Sequence, residues 1–250
     1  MELHENERID DLQRSGLRVI QRVDGFRFGT DAVLLSAFSK PRKHDRLCDL
    51  GTGTGVIPLL LYGREPTLTA DAVEIQPDMA DMAARSMALN GLSDVIRVHA
   101  GDLREIRGLL PHARYDLVTC NPPYGKAGGA LINPAEAKRL ARHEETCRIT
   151  DVTRAAAWLL HNGGRFCCVF PAARMLDLID AMNASRLTPK RLRLVHSRSD
   201  MQAHLCLLEG MLEARPGLII EPPMVIYTAE GTYTEELKAI YGEKSALSSS

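Results

Sequence analysis

The chain has 250 residues, which is enough for one large α/β domain and too short for two full enzymatic domains. Hydrophobic residues make up 45% and charged residues 25%, which excludes a disordered majority and predicts a sizeable core. The formal net charge of −1 excludes a strong overall field for polyanions, so any nucleic acid must be held by local patches.

Charged residues interrupt the first apolar stretch at Arg22, Asp24, Arg27 and Asp31. We therefore expect neither a signal peptide nor a membrane-spanning helix, and a cytoplasmic location. The six cysteines are scattered, mostly within apolar runs, without the C-x-x-C spacing that clamps a metal. They are predicted to be buried, reduced thiols, and no metal site is expected.

The N-terminal stretch has an acidic start, after which residues 17–37 alternate around Asp24-Gly25 like a small hairpin before turning helical. We assign residues 1–45 to a hairpin and helix extension that packs on a domain of residues 46–250. In that domain, short apolar or β-branched runs alternate with amphipathic stretches. This pattern is typical of a parallel sheet covered by helices.

The predicted fold class is α/β, a Rossmann-like sheet of seven mostly parallel strands with helices on both faces. The strands are Arg46–Leu50, Thr69–Glu74, Val95–His99, Tyr115–Cys120, Arg165–Phe170, Arg191–His196 and His204–Leu212. The helices are Val56–Tyr62, Pro77–Asn90, Leu103–Leu110, Asp151–Asn162 and Ala172–Ser185. Helices are predicted to end at Asn90-Gly91 and Asn162-Gly163-Gly164, and Asp151 to cap a helix start. The last two strands have no helix between them, which favours an antiparallel hairpin.

Glycines fill the turn Asp49-Leu50-Gly51-Thr52-Gly53-Thr54-Gly55 between a strand and a helix. They allow a sharp turn and a close approach to a ligand that faces the helix amides. The next strand ends in Glu74, whose carboxylate can accept ribose hydroxyls, and the strand after it runs into Gly101-Asp102. Three consecutive strand ends thus predict a nucleoside cofactor, although a dinucleotide dehydrogenase would share much of this geometry.

The fourth strand ends in Asn121-Pro122-Pro123-Tyr124, which resembles the Asn/Asp-Pro-Pro-aromatic motif of class I methyltransferases that act on planar amino groups. The prolines stiffen the turn and leave the Pro122 carbonyl free to accept, beside the side-chain carbonyl of Asn121. Two acceptors fit an NH₂ group and can turn its lone pair toward a methyl sulfonium. Tyr124 offers a flat face for the base. The resemblance implies S-adenosylmethionine as cofactor and these four residues as catalytic.

A narrower resemblance rests on three segments: Arg22 to Leu35, Ala141-Arg142-His143-Glu144 and Gly231-Thr232-Tyr233-Thr234. They are similar to the bacterial tRNA1(Val) (adenine-N6)-methyltransferases, in which the first segment packs over the cofactor. The resemblance implies N6-methylation of the adenosine immediately 3′ of the anticodon, position 37, in tRNA(Val). The cofactor-binding residues it implies are Phe28, Thr30, Asp31, Asp49, Gly51, Thr52, Gly53, Gly55, Glu74, Ile75, Asp102, Leu103 and Asn121.

Basic residues cluster in 186–198 and in 138–148, where they can hold phosphates, although a solvated surface is the alternative for both. The expected partner is RNA, with tRNA favoured, and the protein is expected to act as a monomer. The predicted RNA-binding residues are Lys126, Arg142, His143, Lys190, Arg191 and Arg193.

Other functions stay open from the sequence alone. An rRNA adenine or guanine amino methyltransferase, or a protein glutamine-N5 methyltransferase, would use the same Asn-Pro-Pro-Tyr chemistry. The glutamine enzymes usually carry a sizeable helical domain before the sheet, where this chain has about 45 residues. A DNA adenine methyltransferase would need a target-recognition domain large enough to read the groove edges, and such a domain does not fit in this length. A silent nucleoside-binding or RNA-binding module is disfavoured, because the glycines, Glu74 and Asn121 are all present.

Overall fold

The computed structural model describes residues 3–23, 29–122 and 147–242. An antiparallel hairpin comes first, in which β1 (Glu7–Asp11) pairs with β2 (Arg18–Arg22). The hairpin therefore lies earlier than predicted, and Asp24-Gly25 falls outside the described residues. The strand β1 was missed because its sequence, Glu-Arg-Ile-Asp-Asp, carries a single apolar side chain and so lacks a strand-like alternation.

A mixed sheet forms the centre of the described part and confirms the predicted class. Its strands are β3 (Arg46–Leu50), β4 (Thr69–Glu74), β5 (Ile96–Ala100), β6 (Tyr115–Cys120), β7 (Leu160–Pro171), β8 (Leu187–His196), β9 (Ala203–Leu212), β10 (Ile219–Ile220) and β11 (Met224–Val225). Their order is β10-β8-β9-β7-β6-β3-β4-β5, with β11 also beside β8. The neighbours β3 to β7 are parallel, and β9 is antiparallel to both β7 and β8, as predicted for the last hairpin.

Seven helices lie in the described part: α1 (Thr30–Ser39), α2 (Val56–Arg64), α3 (Pro77–Leu89), α4 (Ile106–Leu109), α5 (Ile149–Leu159), α6 (Met175–Ala184) and α7 (Glu235–Tyr241). The predicted helices at 103–110 and 172–185 each begin with a 3₁₀ turn. Asp151 caps α5 from its third position, because its carboxylate accepts the Arg148 N–H at 3.0 Å. The helix predicted to end at Asn162 stops at Leu159, since β7 begins at Leu160.

Buried side chains form one hydrophobic cluster on each face of the sheet. Along β7, Cys167 and Val169 belong to the first cluster, while Phe166, Cys168 and Phe170 belong to the second. This alternation is what a strand covered on both faces requires. The hairpin, α1, α2 and α7 contribute to the first cluster, and α4, α5 and α6 to the second. Five of the six cysteines are buried, and all six are free thiols.

The ends of the parallel strands meet at one edge, which we call the carboxyl edge. Leu50 at the end of β3 is in register with Cys120 at the end of β6, and Glu74 at the end of β4 with Ala100 of β5. The loops that follow these strands therefore converge, as in other open α/β sheets where ligands bind at this edge. In the described ranges, no helix is long and apolar enough to cross a membrane.

Candidate active site at the carboxyl edge

The glycine turn joins β3 to α2 in a backbone conformation that needs glycine. Gly51, Gly53 and Gly55 have φ angles of +69°, +58° and +84°, a region that side chains with a Cβ rarely adopt. A Cβ added at Gly51 or Gly53 would meet no described atom within 4 Å beyond the chain neighbours. The turn thus faces open space at the carboxyl edge, where a ligand can approach its backbone.

Glu74 is buried at the end of β4, with 4% of its surface exposed. One carboxylate oxygen accepts the N–H of Gly53 at 2.9 Å, and the other accepts the N–H of Gln76 at 2.9 Å. These bonds fix the carboxylate beside the glycine turn. The Gln76 side-chain amide also donates to Oε1, at 3.5 Å. A ribose that displaces this amide would find one lone pair on each oxygen for a hydroxyl.

Asp49 is fully buried on β3, beside Thr119 of β6. Its Oδ1 accepts the Thr119 hydroxyl at 2.6 Å, whereas Asp49 Oδ2 and Thr52 Oγ1 have no hydrogen-bond partner within the described ranges. Burial raises the pKa of Asp49 to about 7, against the opposing effects of the nearby Thr119 and Thr52 hydroxyls. A buried carboxylate with one unpartnered oxygen is suited to a cationic group of a ligand.

Asp102 begins the 3₁₀ turn after β5, at the far side of the same edge. Its Oδ1 accepts the Arg104 N–H at 2.9 Å, and the Arg104 guanidinium pairs with Oδ2. The hydrogen bond from the Arg104 side chain holds the pKa of Asp102 below its ordinary value. The cleft here is lined by Gly51, Val73, Ile75, Gly101, Asp102, Leu103, Arg104 and Cys147. The 46% exposure of Ile75 gives this cleft an apolar wall that suits a flat ring.

Asn121 and Pro122 follow β6 directly and are half-buried. Leu50 and Cys120 are the last paired residues of β3 and β6, so Gly51 and Asn121 each directly follow one of two neighbouring strand ends. The structure therefore brings the first half of the tetrapeptide to the same edge as the glycine turn. The predicted residues Phe28, Pro123, Tyr124, Lys126, Arg142 and His143 lie outside the described residues, and their roles stay predictions.

The start of α1 supplies the other predicted cofactor residues. Thr30 is the first residue of α1, and Asp31 the second. Burial raises the pKa of Asp31, while the nearby His204 has the opposite effect. Since β9 is antiparallel to β7, its first residues, including His204, lie at the carboxyl edge. Thr30 and Asp31 are thus at the same edge as the glycine turn, although no direct contact joins them to it among the described residues.

The basic cluster at 186–198 has partners inside the fold. Arg191 is paired with Glu209 at 3.5 Å and Glu221 at 3.1 Å, donates to Phe38 O at 2.6 Å, and lies over the Phe38 ring. Arg193 pairs with Glu236 at 2.8 Å, and its side chain, like that of Arg191, is only 16% exposed. These contacts indicate a stabilising role for both arginines, and the predicted phosphate contacts stay predictions.

Lys190 lies far from the carboxyl edge, because β8 runs toward that edge from Leu187 to His196. Its Nζ donates to Arg215 O at 3.2 Å. The predicted contact of Lys190 with RNA stays a prediction. Sequence reasoning missed the ion pairs of Arg191 and Arg193 because the nearest partner acid, Glu209, is 18 residues from Arg191 along the chain.

Arg191→Ala is expected to destabilise the protein by about 2 kcal/mol, because the buried Glu209 would lose one of its two cationic neighbours. The salt dependence of RNA binding should stay unchanged, since the Arg191 guanidinium is already paired within the fold. Chemical unfolding and a salt titration of RNA binding measure the two effects. The matched control is Arg186→Ala, whose side chain is 75% exposed in its pair with Glu213 and should contribute little. A flattened salt slope in Arg191→Ala alone would return this residue to the RNA interface.

Gly55→Ala is expected to lower the melting temperature, because the new Cβ would have a left-handed φ and would collide with Met87 Cε. The cost is about 1–3 kcal/mol, or roughly 2–12 °C in a domain of this size. Gly53→Ala is the matched comparison, since it shares the left-handed φ while its Cβ would meet no described atom within 4 Å. It should weaken cofactor binding, measured by calorimetry, more than it lowers the melting temperature. A larger stability loss in Gly53→Ala than in Gly55→Ala would contradict this assignment of the turn.

Comparison with solved structures identifies the class of the fold. A structure described as a predicted O-methyltransferase from Agrobacterium tumefaciens superposes with a TM-score of 0.70 and 21% identity, over 86% of this chain and 97% of that one. The mixed sheet with helices on both faces agrees with this class of fold. The architecture is that of the class I methyltransferases, as predicted.

The sequence comparisons then give the family. Residues 21–185 match the family model described as "Methyltransferase small domain", and the chain belongs to this family. A tRNA1(Val) (adenine(37)-N6)-methyltransferase of Parabacteroides distasonis is 33% identical over 85% of this chain and 87% of that protein. A protein of the same name from Porphyromonas gingivalis is 35% identical over 69% of this chain, and the match spans 66% of the relative's length. These matches confirm the family predicted from the motifs.

Proposed function

We propose that this protein is an S-adenosylmethionine-dependent methyltransferase that methylates N6 of an adenine in tRNA, at position 37 of tRNA(Val). One observation carries the proposal: the buried, partly unpartnered Asp49, the fixed Glu74 and Asn121 meet at the glycine turn. The two relatives, whose names state this reaction, support the choice of substrate.

The donor set fits S-adenosylmethionine, which when bound supplies an electrophilic methyl group on a sulfonium. Asp49 Oδ2 is placed for a cationic part of the cofactor, and Glu74 for its ribose hydroxyls. Ile75 and Leu103 offer apolar contact to the adenine ring at the cleft that Asp102 borders. The backbone of the glycine turn can approach the methionine part, because no Cβ intervenes.

The residues after β6 would orient the target amine. The Asn121 side-chain carbonyl and the Pro122 backbone carbonyl would each accept a hydrogen bond from one N–H of the NH₂ group. These bonds favour a pyramidal nitrogen with its lone pair toward the methyl group. Tyr124 would hold the base flat by stacking. No strong general base is required, because the proton leaves after the nitrogen has become cationic. Orientation is thus the main contribution of this chain to the rate.

The domain division of the chain, its oligomeric state and its location in the cell are part of the same proposal. We treat residues 1–45 as an extension that packs on the methyltransferase domain of residues 46–250, since Leu12, Val19 and Leu35 join the first hydrophobic cluster. We also propose a monomer that works in the cytoplasm, where tRNA is modified, and that needs no metal. In the described part, no group of three or more metal-ligating side chains is found.

The test is methyl transfer from labelled cofactor into separate pools of tRNA, rRNA and protein, followed by nucleoside and amino-acid analysis. We expect the label in N6-methyladenosine of tRNA(Val). Label in N5-methylglutamine would favour the protein methyltransferase, and label in rRNA would reassign the RNA. Cofactor binding with no transfer to any pool would indicate a silent binding module.

A further inference from the structure

Three tyrosines near the C-terminus form a continuous stack, which we call the tyrosine stack: Tyr227, Tyr233 and Tyr241. The Tyr227 and Tyr233 ring centroids are 5.4 Å apart with an interplanar angle of 28°, and those of Tyr233 and Tyr241 are 5.9 Å apart with an angle of 8°. Tyr241 packs against the first hydrophobic cluster, whereas Tyr227 and Tyr233 are 38% and 37% exposed. The stack therefore runs from the core to the surface, with Tyr227 at its outer end.

The loop that carries the outer ring is held by hydrogen bonds. Tyr227 and Tyr233 face each other in an antiparallel bridge, and the N–H of Thr228 donates to Thr232 O at 2.8 Å. Thr234 closes the loop, because its N–H donates to Ile226 O at 3.0 Å. These bonds fix the backbone that carries Tyr227, and its ring is held by the stack on Tyr233. A fixed aromatic ring loses little conformational entropy when a ligand stacks on it.

The tyrosine stack lies at the same edge of the sheet as the candidate active site. The strand β11 runs parallel to β8, and the Tyr227 N–H donates to Ser197 O, just beyond the end of β8, at 2.9 Å. Four strand spacings separate β11 from β6, so Tyr227 is about 19 Å from Asn121 along the edge. Several nucleotides of an unpaired loop can span this distance.

The neighbouring β8–β9 turn, residues 197–202, carries side chains suited to the same ligand. Arg198 is exposed and forms no ion pair with any residue that the structure describes, in contrast to Arg191 and Arg193. Met201 of the same turn is 50% exposed. An aromatic face next to a free guanidinium and an apolar side chain is typical of a surface that binds single-stranded nucleic acid.

We propose that Tyr227 stacks an unpaired base of the RNA substrate, at a nucleotide several positions away from the one that is methylated, with Arg198 near its phosphate. This proposal rests on the proposed function, because it takes the substrate to be RNA. It gives the tyrosine stack a role in binding the substrate rather than in the chemistry at Asn121.

The test compares variants of Tyr227 in the full chain, with an unmodified tRNA(Val) transcript as the probe. Tyr227→Ala and Tyr227→Leu are expected to raise both the Kd and the KM for the transcript by about 5- to 150-fold, the effect of losing one stacked base. The turnover rate at saturating RNA should stay unchanged. Tyr227→Phe and Tyr227→Trp should bind like the native protein, since both keep an aromatic face.

The leucine variant distinguishes stacking from packing, because it keeps the apolar bulk and removes the ring. Cofactor affinity and melting temperature serve as folding checks, and Ile220→Ala, at an exposed apolar residue on β10, is the matched control that should change nothing. Unchanged RNA affinity in Tyr227→Leu would overturn the stacking role while leaving the methyltransferase proposal standing. Absence of RNA methylation by the native protein would instead refute the proposed function itself.

Discussion

Asn121→Ala is expected to lower the rate of methyl transfer by about 100- to 1,000-fold, the effect of removing one hydrogen bond that orients charge in a transition state. Asn121 follows the central strand β6 beside the glycine turn, where its side-chain carbonyl can accept from the target amine. The bond strengthens as the nitrogen becomes pyramidal, so its loss acts on turnover more than on binding. Single-turnover kinetics at saturating RNA measure this effect directly.

Two variants make the Asn121 result specific. Asn121→Asp keeps oxygen acceptors at the same position and should retain more activity than Asn121→Ala. Asn183→Ala, an exposed asparagine at the end of α6, should be as active as the native protein. Calorimetry with S-adenosylhomocysteine should show native cofactor affinity in Asn183→Ala. In the two Asn121 variants the loss of cofactor affinity should be much smaller than the loss of methyl-transfer rate. Near-normal methyl transfer by Asn121→Ala would refute the orientation of the target amine by Asn121. The assignments of the fold and of the cofactor would still stand.

The sheet was predictable where its strands are buried on both faces. The bounds of β3, β4 and β6 agree with the predicted ones, because these central strands are short apolar runs that polar turn residues terminate. Peripheral strands gave no such signal. The strands β10 and β11 have two residues each and pair with β8 through the backbone, so hydrophobic periodicity could not indicate them.

The sequence predicted which residues of the candidate site lie at the carboxyl edge, because the ends of the predicted strands determine their positions. Asp49 and Glu74 lie in the last two positions of β3 and β4, and Asp102 and Asn121 come just after β5 and β6. Parallel pairing alone brings such residues to one edge. What each side chain does there depends on contacts between distant segments. The Thr119 hydroxyl on Asp49 is an example, since only the register of β3 with β6 reveals it.

The charges were the least predictable feature, because a run of basic residues does not show where its counter-ions lie. Arg191 is paired with acids of β9 and of the segment before β11, and Arg193 with an acid of α7. Each pairing forms only when the last strands and the C-terminal helix fold against β8. By contrast, Arg198 lies in the turn beyond β8, where no described acid pairs with it.

We expect the charge of Asp49 to affect both the free energy of unfolding and the cofactor affinity. Its carboxyl group is buried, and one of its oxygens has no hydrogen-bond partner in the described ranges. Burial raises its pKa to about 7, whereas the ordinary value of an unfolded aspartate is about 3.9. Between these values the folded protein binds more protons than the unfolded chain, so this group lowers stability as the pH rises from about 4 to about 7. Above pH 7 the full cost of the buried charge remains, and a cationic ligand can offset it.

Asp49→Asn is therefore expected to stabilise the ligand-free protein at pH 8, by on the order of 2–4 kcal/mol, while it weakens cofactor binding. Asparagine removes the charge but still accepts the Thr119 hydroxyl, so the fold should be kept. Unfolding at pH 5 and pH 8 should show a smaller loss of stability with pH in the variant than in the native protein. Calorimetry should show that native cofactor affinity rises between pH 6 and pH 8, and that the variant lacks most of this rise.

The matched control for Asp49 is Asp177→Asn, at a side chain that is 57% exposed on α6 and should change neither property. All other ionisable groups are present in both the native protein and Asp49→Asn, so the difference between these two proteins isolates Asp49. An asparagine variant that is less stable than the native protein at pH 8 would show that the carboxylate is ionised and compensated before the cofactor arrives. In that case Asp49 would be a structural acid of β3 rather than a group held ready for a cationic ligand.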